Sequence, residues 1–269
     1  MEFSRGDYVS RKSYNFDIIF RIENIRKNIA YLRSIKLRLM ADAPLDDLVK
    51  ISNKEKRALN KEIAMDSYQC VQRQQKHLVL NNNYYRSKKT ENSYREYRIR
   101  VLHIDGDKNY LDLSIENYKN LNINVQGFFI PEKGQPEKIV ELIQKNRPDI
   151  LVITGHDGEL NDKKFHTSDF FLQAVELARQ IDNDLDKLVI FAGACQSDYE
   201  RLIEAGANFA SSPDNKLIHF LDPILVVEKI AFTPINEVVS VKDVINNTIT
   251  GQGGVGGIET RGKLRLQYP

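Results

Sequence analysis

Apolar runs alternate with amphipathic stretches over the carboxyl-terminal two thirds of the chain. Short runs of consecutive apolar residues predict five strands, at 98–105, 124–130, 149–155, 187–193 and 207–211. Apolar residues that recur every three or four positions predict five helices, at 110–121, 135–146, 168–181, 197–206 and 217–230. Strands that are apolar throughout are buried on both faces, and helical connections make their sheet parallel. The pattern predicts an α/β domain with a doubly wound, mostly parallel sheet over residues 98–269.

The amino-terminal part of the chain has a different pattern. Residues 6–39 carry Val, Ile, Tyr and Phe in short alternating runs, which Gly6, Asn15 and Asn28 interrupt. Such runs are typical of a small antiparallel sheet or barrel. We therefore predict a small β-rich, barrel-like domain over residues 1–52. It contains no group of residues suited to catalysis, so we interpret it as a domain that docks substrates.

Residues 53–97 form a basic, polar segment between these two parts. Residues 54–98 contain 11 Lys and Arg against 5 Asp and Glu, and end in the polar tract NNNYYRSKKTENSYREYR. We interpret the segment as a linker that is at most partly helical. The charge could contact RNA or another polyanion, but no recognition motif accompanies it, and a solvated spacer is favoured. No nucleic-acid partner is predicted.

Composition narrows the class of protein further. The 269 residues carry a net charge of +2, and no run of about 18 apolar residues could cross a bilayer. The first twenty residues lack the pattern of a secretory signal, so we expect the protein to remain in a reducing compartment. The two cysteines, Cys70 and Cys195, are therefore expected to be free thiols.

Two of the predicted strands end in turns that carry reactive side chains. ILVITGHDG places His156 just after the third strand of the α/β domain, and KLVIFAGACQS places Cys195 just after the fourth. Ligand and active sites of such sheets lie outside the carboxyl ends of the strands. If the two strands are neighbours, the imidazole and the thiol could meet around a substrate carbonyl. Cys195 also precedes a capping box at Ser197, whose helix dipole would favour the thiolate.

Other residues of the chain are candidates for the same roles. His166 precedes a predicted helix and is a minority candidate for the base, whereas Cys70 is expected to be inert. No spacing of His, Cys and Asp resembles a zinc site, so neither a metal nor a cofactor is predicted. A receiver-like or ligand-binding module without catalysis is the alternative, because Asp105 and Asp107 end the first strand of the domain. A receiver, however, needs an aspartate where the third strand ends in Gly155 and His156.

The same segments carry a resemblance to a known family. They are GDYVSRKSYN, ADAPLDDL, VLHIDGD, RPDILVITGHDG, FAGACQSDYE, ANFASSPDNKLIH and TGQGGVGGIETRG. Together they resemble the YabG family of sporulation-specific cysteine proteases over nearly the full length. GHDG and AGACQS also look like the His-Gly and Ala-Cys pair of the caspase-like, or clostripain-like, superfamily. The resemblance implies a caspase-like catalytic domain and a His156–Cys195 dyad.

The resemblance also implies further properties of the site. It implies cleavage after basic residues, chiefly Arg, for which Asp198, Asp214 and Asp222 could supply the carboxylate of the pocket. In the superfamily a glycine directly follows the histidine, but here Asp157 intervenes before Gly158. The oxyanion and cleft candidates are therefore Asp157, Gly158 and Gly193, together with the amide of Cys195. The substrates implied are proteins of the spore coat and cortex region. The location implied is the mother-cell cytoplasm, in association with the forming coat and without membrane insertion.

Overall fold

A computed structural model describes residues 2–87, 95–96, 98–157 and 167–267. Its amino-terminal part is a five-stranded antiparallel sheet in the order β4-β3-β2-β1-β5. The strands are β1 (Tyr8–Arg11), β2 (Phe20–Arg26), β3 (Ile29–Ser34), β4 (Met40–Pro44) and β5 (Leu48–Lys50). The antiparallel prediction is confirmed, but the barrel is wrong, because β4 and β5 remain unpaired edges among the described residues. The apolar face packs against Cys195 and Ile218 of the α/β part instead of closing on itself.

The basic segment that follows is a long helix. Helix α1 spans Asn53–Ser87, so the segment is helical over most of its length and not at most partly helical as expected. Ser52 and Glu55 cap its start reciprocally through their side chains and backbone amides. Leu59 is buried, and the Arg73 guanidinium donates to Glu228 at 2.8 Å. Packing against the α/β part stabilises this helix, since its own apolar stripe is weak.

The α/β part follows the predicted alternation. Its parallel strands are β7 (Arg100–Asp105), β8 (Asn124–Phe129), β9 (Ile150–Thr154), β10 (Val189–Ala192) and β11 (Phe209–Ser211). Its helices are α2 (Lys108–Asn120), α3 (Gln135–Asn146), α4 (Ser168–Ile181), α5 (Tyr199–Glu204), α6 (Asp222–Ala231) and α7 (Val241–Asn247). Short antiparallel pairs are formed by β6 (Arg95–Glu96) with β15 (Leu266–Gln267), and by β12 (Val238–Val239) with β14 (Thr260–Arg261).

The central sheet has the order β13-β11-β10-β9-β7-β8 and is parallel except for β13 (Val255–Gly257). One apolar layer contains side chains of α2 and α6, and the opposite layer contains side chains of α3, α4 and α5. A mostly parallel sheet covered on two faces is therefore confirmed. No helix in the described ranges is long and apolar enough to cross a bilayer.

One predicted helix begins later than expected, and this changes the site. Residues 217–230 were predicted to be helical, but α6 begins at Asp222. Pro223 occupies the first turn, where its missing amide costs nothing, and so fixes the start of the helix there. Residues 217–221 precede the helix and lie beside the amino-terminal sheet, where His219 pairs with Leu37.

Candidate active site

The turns that follow β9 and β10 lie side by side. The two strands are parallel neighbours, with Ile153 opposite Ala192. Their carboxyl ends therefore meet at one edge of the sheet, where His156 and Cys195 both lie. Both residues are fully buried. The expectation that neighbouring strands carry the two residues to the same edge is met.

The thiol of Cys195 lies against the backbone of Ile218. The Ile218 amide donates to Sγ at 3.1 Å, and Sγ lies 3.6 Å from the Ile218 carbonyl oxygen. Burial raises the pKa of the thiol to about 12, although the Ile218 amide opposes this change. The expected enrichment of thiolate is therefore wrong for this structure. The adjacent helix α5 begins at Tyr199 and has only six residues, so its dipole does not outweigh the effect of burial.

The imidazole of His156 is held by two neighbours. Its Nδ1 lies 3.2 Å from Nη1 of Arg33, and its ring stacks on Tyr110 with 5.0 Å between centroids. A guanidinium only donates hydrogen bonds, so Nδ1 accepts and the proton of the neutral ring is on Nε2. Burial, and next the charge of Arg33, keep the pKa of His156 well below its ordinary value. The ring is therefore neutral in this arrangement.

The two side chains are not joined to each other. Within the part of the chain that the structure describes, no hydrogen bond connects the imidazole of His156 to the thiol of Cys195. Nε2 of His156 has no hydrogen-bond partner there, and the nearest carboxylate oxygen, Oδ2 of Asp107, is 3.8 Å away. The dyad thus remains a prediction, with its members at one sheet edge and the thiol protonated.

Two backbone amides converge beside Cys195. The amide of Cys195 donates to the carbonyl oxygen of Arg38 at 3.1 Å, and the amide of Asp157 donates to the same oxygen at 3.3 Å. An oxyanion hole also places two donors on one oxygen, at about 2.7–3.1 Å, so the contact from Asp157 is longer than that range. The amide of Gly193 does not join this pair of donors, since it donates to the carbonyl oxygen of Ile153 at 3.0 Å. Gly158 lies outside the described residues, as does His166.

The carboxylate of Asp157 binds the start of α4 and the turn after β10. Its oxygens accept from the Thr167 amide at 2.9 Å, from the Ser168 hydroxyl, and from the Ser197 hydroxyl at 3.3 Å. These bonds connect the turn after β9 to the start of α4 and to the turn after β10. The side chain of Asp157 therefore holds the two turns in register.

A buried pocket beside these amides contains the side chain of Arg38. Its Nη1 donates to Oδ2 of Asp105 at 2.8 Å, and both side chains are fully buried. Its Nη2 donates to the Phe220 carbonyl at 3.3 Å, and its Cζ lies 5.3 Å from the Tyr110 ring centroid. The pocket thus offers the guanidinium the three kinds of group that it binds well, namely the carboxylate of Asp105, the carbonyl of Phe220 and the ring of Tyr110.

Other groups fix the orientation of the Asp105 carboxylate. Thr154 donates to it through Oγ1 at 2.9 Å, and the amide of Asp107 donates to Oδ1 at 2.8 Å. His103 lies 3.4 Å from Oδ2. Although burial opposes ionisation, the charge of Arg38, the contact with His103 and the amide of Asp107 keep the pKa of Asp105 well below its ordinary value. The carboxylate is therefore charged and ready to pair with a cation.

The three aspartates predicted for a basic pocket lie elsewhere. Asp198 is the N-cap of α5 and contacts Arg201, and Asp214 lies against Gly253. Asp222 is fully buried, but its oxygens accept from backbone amides of residues 219, 249 and 250. None of the three is among the described hydrogen-bond or ion-pair partners of the Arg38 guanidinium. Their assignment to the pocket gains no support.

A second buried carboxylate supports the turn that carries His156. Oε1 of Glu132 accepts from the His156 amide at 2.9 Å. A Cβ on Gly155 or Gly106 would lie within 2.5 Å of this carboxylate, so a side chain at either position would displace Glu132. Burial raises the pKa of Glu132, which the charge of Arg33 opposes. Sequence reasoning missed Glu132, Arg33 and Arg38, because each is far along the chain from the turns it contacts.

Comparison with known proteins agrees over the whole chain. The profile of the family described as YabG peptidase U57 matches residues 4–269. The sporulation-specific protease YabG of Bacillus subtilis (strain 168) is 42% identical over 286 aligned positions, which cover 100% of this chain and 99% of that protein. No solved structure gives a significant match. A caspase-like fold therefore remains a prediction.

Proposed function

Because the chain belongs to the YabG peptidase family, we propose that it works during sporulation as a cysteine endopeptidase that cuts proteins after arginine. Membership of a peptidase family also argues against the receiver-like alternative. Cys195 is proposed as the nucleophile and His156 as the acid and base. The supporting observation is the oxygen of Arg38, which accepts hydrogen bonds from the amides of Cys195 and Asp157.

The proposed reaction has two stages. As Sγ of Cys195 attacks the substrate carbonyl, His156 takes up the thiol proton and then gives it to the leaving amine. Water hydrolyses the resulting thioester, with His156 again moving the proton. The negative oxygen formed at each stage would lie where the Arg38 oxygen lies, between the two amides. Each such donor typically contributes about 100-fold to 1000-fold in kcat.

The preference for arginine is proposed to come from Asp105 rather than from Asp198, Asp214 or Asp222. Asp105 is charged, held in place by Thr154, and already pairs with a guanidinium at 2.8 Å. A residue that brings no cation into this buried place would leave the carboxylate unpaired, which is costly. The pocket chemistry therefore favours arginine over apolar or acidic residues before the cut.

The proposed substrates are proteins of the spore coat and cortex region. The similar protein from B. subtilis is described as a sporulation-specific protease, and the assignment of coat substrates to this chain is our extension of that description. We propose that the enzyme acts in the mother-cell cytoplasm at the forming coat. The amino-terminal sheet and α1 are proposed to contact these substrates.

A trapping experiment tests the mechanism. During turnover of an arginine ester, rapid acid quenching should leave the acyl group attached to the peptide that contains Cys195, which mass spectrometry would locate. A peptide library should show arginine directly before the cut. Equal cutting after leucine would refute the specificity, and an acyl group on any other residue would refute the nucleophile.

A further inference from the structure

The loop between β3 and β4, residues 35–39, crosses the candidate active site. On one side, the Phe220 amide donates to the Lys36 carbonyl at 3.0 Å, and the Arg38 amide donates to the Ile218 carbonyl at 3.2 Å. Leu37 pairs with His219 in antiparallel fashion between these two bonds. Beyond the loop, the Met40 amide donates to the Asp157 carbonyl at 3.2 Å. The loop thus binds the site by backbone hydrogen bonds on both sides of Arg38.

Proteins commonly bind extended peptides in this way. Backbone bonds supply affinity, and a pocket for a single side chain supplies specificity. The β3–β4 loop has both features, because the guanidinium of Arg38 fills the Asp105 pocket while its carbonyl oxygen lies between the amides of Cys195 and Asp157. The loop therefore occupies the place of a substrate, with Arg38 before the bond to be cut.

We propose that the first bond this enzyme cuts is the Arg38–Leu39 bond of its own chain. The inference rests on the proposed function. The chain bends at this bond, where the Leu39 amide donates back to the Leu37 carbonyl at 2.8 Å in a three-residue turn. The bend presents the Arg38 carbonyl to the two amides.

The self-cleavage is an ordinary hydrolysis. Sγ of Cys195 forms a bond to the carbonyl carbon of Arg38, and the bond from that carbon to the Leu39 nitrogen breaks. His156 carries the thiol proton to that nitrogen, which becomes a new amino terminus. Water then converts the thioester into the Arg38 carboxylate and regenerates the thiol. No oxidant or other co-reactant is needed.

A cleft borders Leu39, the residue that follows the bond. A cleft of about 550 Å³ lies between the amino-terminal sheet and the turn after β10, and Leu39, Met40 and Gln196 line it. The first cut should be slow compared with later turnover, since the imidazole must leave Arg33 to reach the thiol. Because Arg38 is buried in its own site, the cut should be intramolecular.

A structural role for Arg38 is the competing explanation. A buried ion pair could simply attach the amino-terminal sheet to the α/β part, and such a pair would need no reaction. The two explanations differ in one observable, the continuity of the chain after residue 38. Self-cleavage also requires Cys195, whereas an anchor does not.

The test uses the purified full-length protein. Samples incubated at two concentrations tenfold apart are denatured, and intact masses and new amino termini are determined. Wild type and Lys36→Gln, which alters the other basic residue of the loop, should both yield a chain beginning at Leu39, with a rate independent of concentration. Cys195→Ala should stay joined. Arg38→Lys keeps a cation for Asp105 and so preserves the fold, and its cut should be at least 10-fold slower.

Hydrolysis of an arginine peptide is measured in the same samples. A wild-type chain that stays joined while it hydrolyses the peptide would overturn the inference and leave the proposed function intact. A rate that rises in proportion to concentration would overturn the intramolecular cut. Loss of both reactions would count against the proposed function itself.

Discussion

At the scale of single residues, the proposed preference for arginine rests on the Asp105 carboxylate. It is fully buried and pairs with the Arg38 guanidinium at 2.8 Å. Removing one partner of a buried ion pair leaves the other charge uncompensated, at about 3–5 kcal/mol. Any arginine that a substrate brings into this pocket should depend on the same charge.

We therefore expect Asp105→Asn to lower kcat/KM for an arginine peptide by about 150-fold or more, which corresponds to the lower end of that free-energy range. Asp198→Asn is the matched control, because Asp198 caps α5 and does not contact the guanidinium. Steady-state kinetics on folded variants decides the matter. If kcat/KM of Asp105→Asn fell by less than threefold, Asp105 would not be the carboxylate of the arginine pocket.

The thiol of Cys195 allows a second prediction at this scale. Burial raises its pKa to about 12 from an ordinary value of 9.0, so the thiolate fraction at neutral pH should be about 1000-fold lower in the folded, uncut chain than in the unfolded one. In Cys70→Ser/His156→Ala, which has one cysteine and should not cut itself, iodoacetamide should react far more slowly at pH 7 than in the same protein unfolded by guanidinium. Equal rates in the two states would show that the thiol is accessible.

At the scale of elements, helix α1, which makes up most of the basic segment, is attached to the α/β part through Arg73. Nη1 of Arg73 donates to Glu228 at 2.8 Å and to the Asn247 carbonyl at 3.0 Å. The carboxylate of Glu228 is fully buried on α6, whereas the Arg73 side chain keeps 29% of its exposure. Water therefore screens the charge of Arg73 but does not reach the carboxylate of Glu228.

Arg73→Ala should lower the free energy of unfolding by about 1–3 kcal/mol, less than for a fully buried pair because water reaches the guanidinium. Lys76→Ala, one turn further along the same helix at an exposed position, should change it by about 0.5 kcal/mol at most. Denaturant unfolding measures both. Equal, small effects would mean that α1 is not held through Glu228.

The elements that could be predicted are those whose apolar pattern decides their structure. The continuous apolar runs of β7, β9 and β10 identify buried strands, and the turns after β9 and β10 follow directly from them. Residues 217–221 misled the prediction, because their apolar pattern continues that of α6 although they pack on the β3–β4 loop. The helix α1 was missed because its polar sequence lacks a strong stripe and depends on tertiary contacts.

The Arg38–Asp105 pair could not be predicted for a related reason. It joins residues 67 positions apart, on two parts of the chain with different patterns. Sequence periodicity reports which face of an element is buried but not which distant loop covers it. Nothing in VLHIDGD indicates the partner of Asp105.

At the scale of the whole molecule, the two parts of the chain share one apolar cluster. Cys195 and Ile218 of the α/β part pack with Val9, Phe20 and Leu39. The amino-terminal sheet thus forms one wall of the candidate active site. Its strand order places β3 beside β4 and β1 beside β5, so a cut after Arg38 would divide the sheet between two pieces.

We expect the two pieces to remain associated after the cut, since the strands β1 to β3 of one piece lie between β4 and β5 of the other. Under native conditions, size-exclusion chromatography should give a single peak at the position of uncut Cys195→Ala. The pieces should separate only in denaturant. Separation under native conditions would show that the sheet needs a continuous chain.

The central claim is that this protease uses Cys195 as its nucleophile, and a comparison of its two cysteines tests that claim most directly. The measurement is the initial rate of arginine-peptide hydrolysis by wild type, Cys195→Ala and Cys70→Ala, all checked for folding. The account predicts that Cys195→Ala loses at least about 1000-fold in rate, as removal of a nucleophile requires, while Cys70→Ala stays within about twofold of wild type. Activity of folded Cys195→Ala within tenfold of wild type would contradict it.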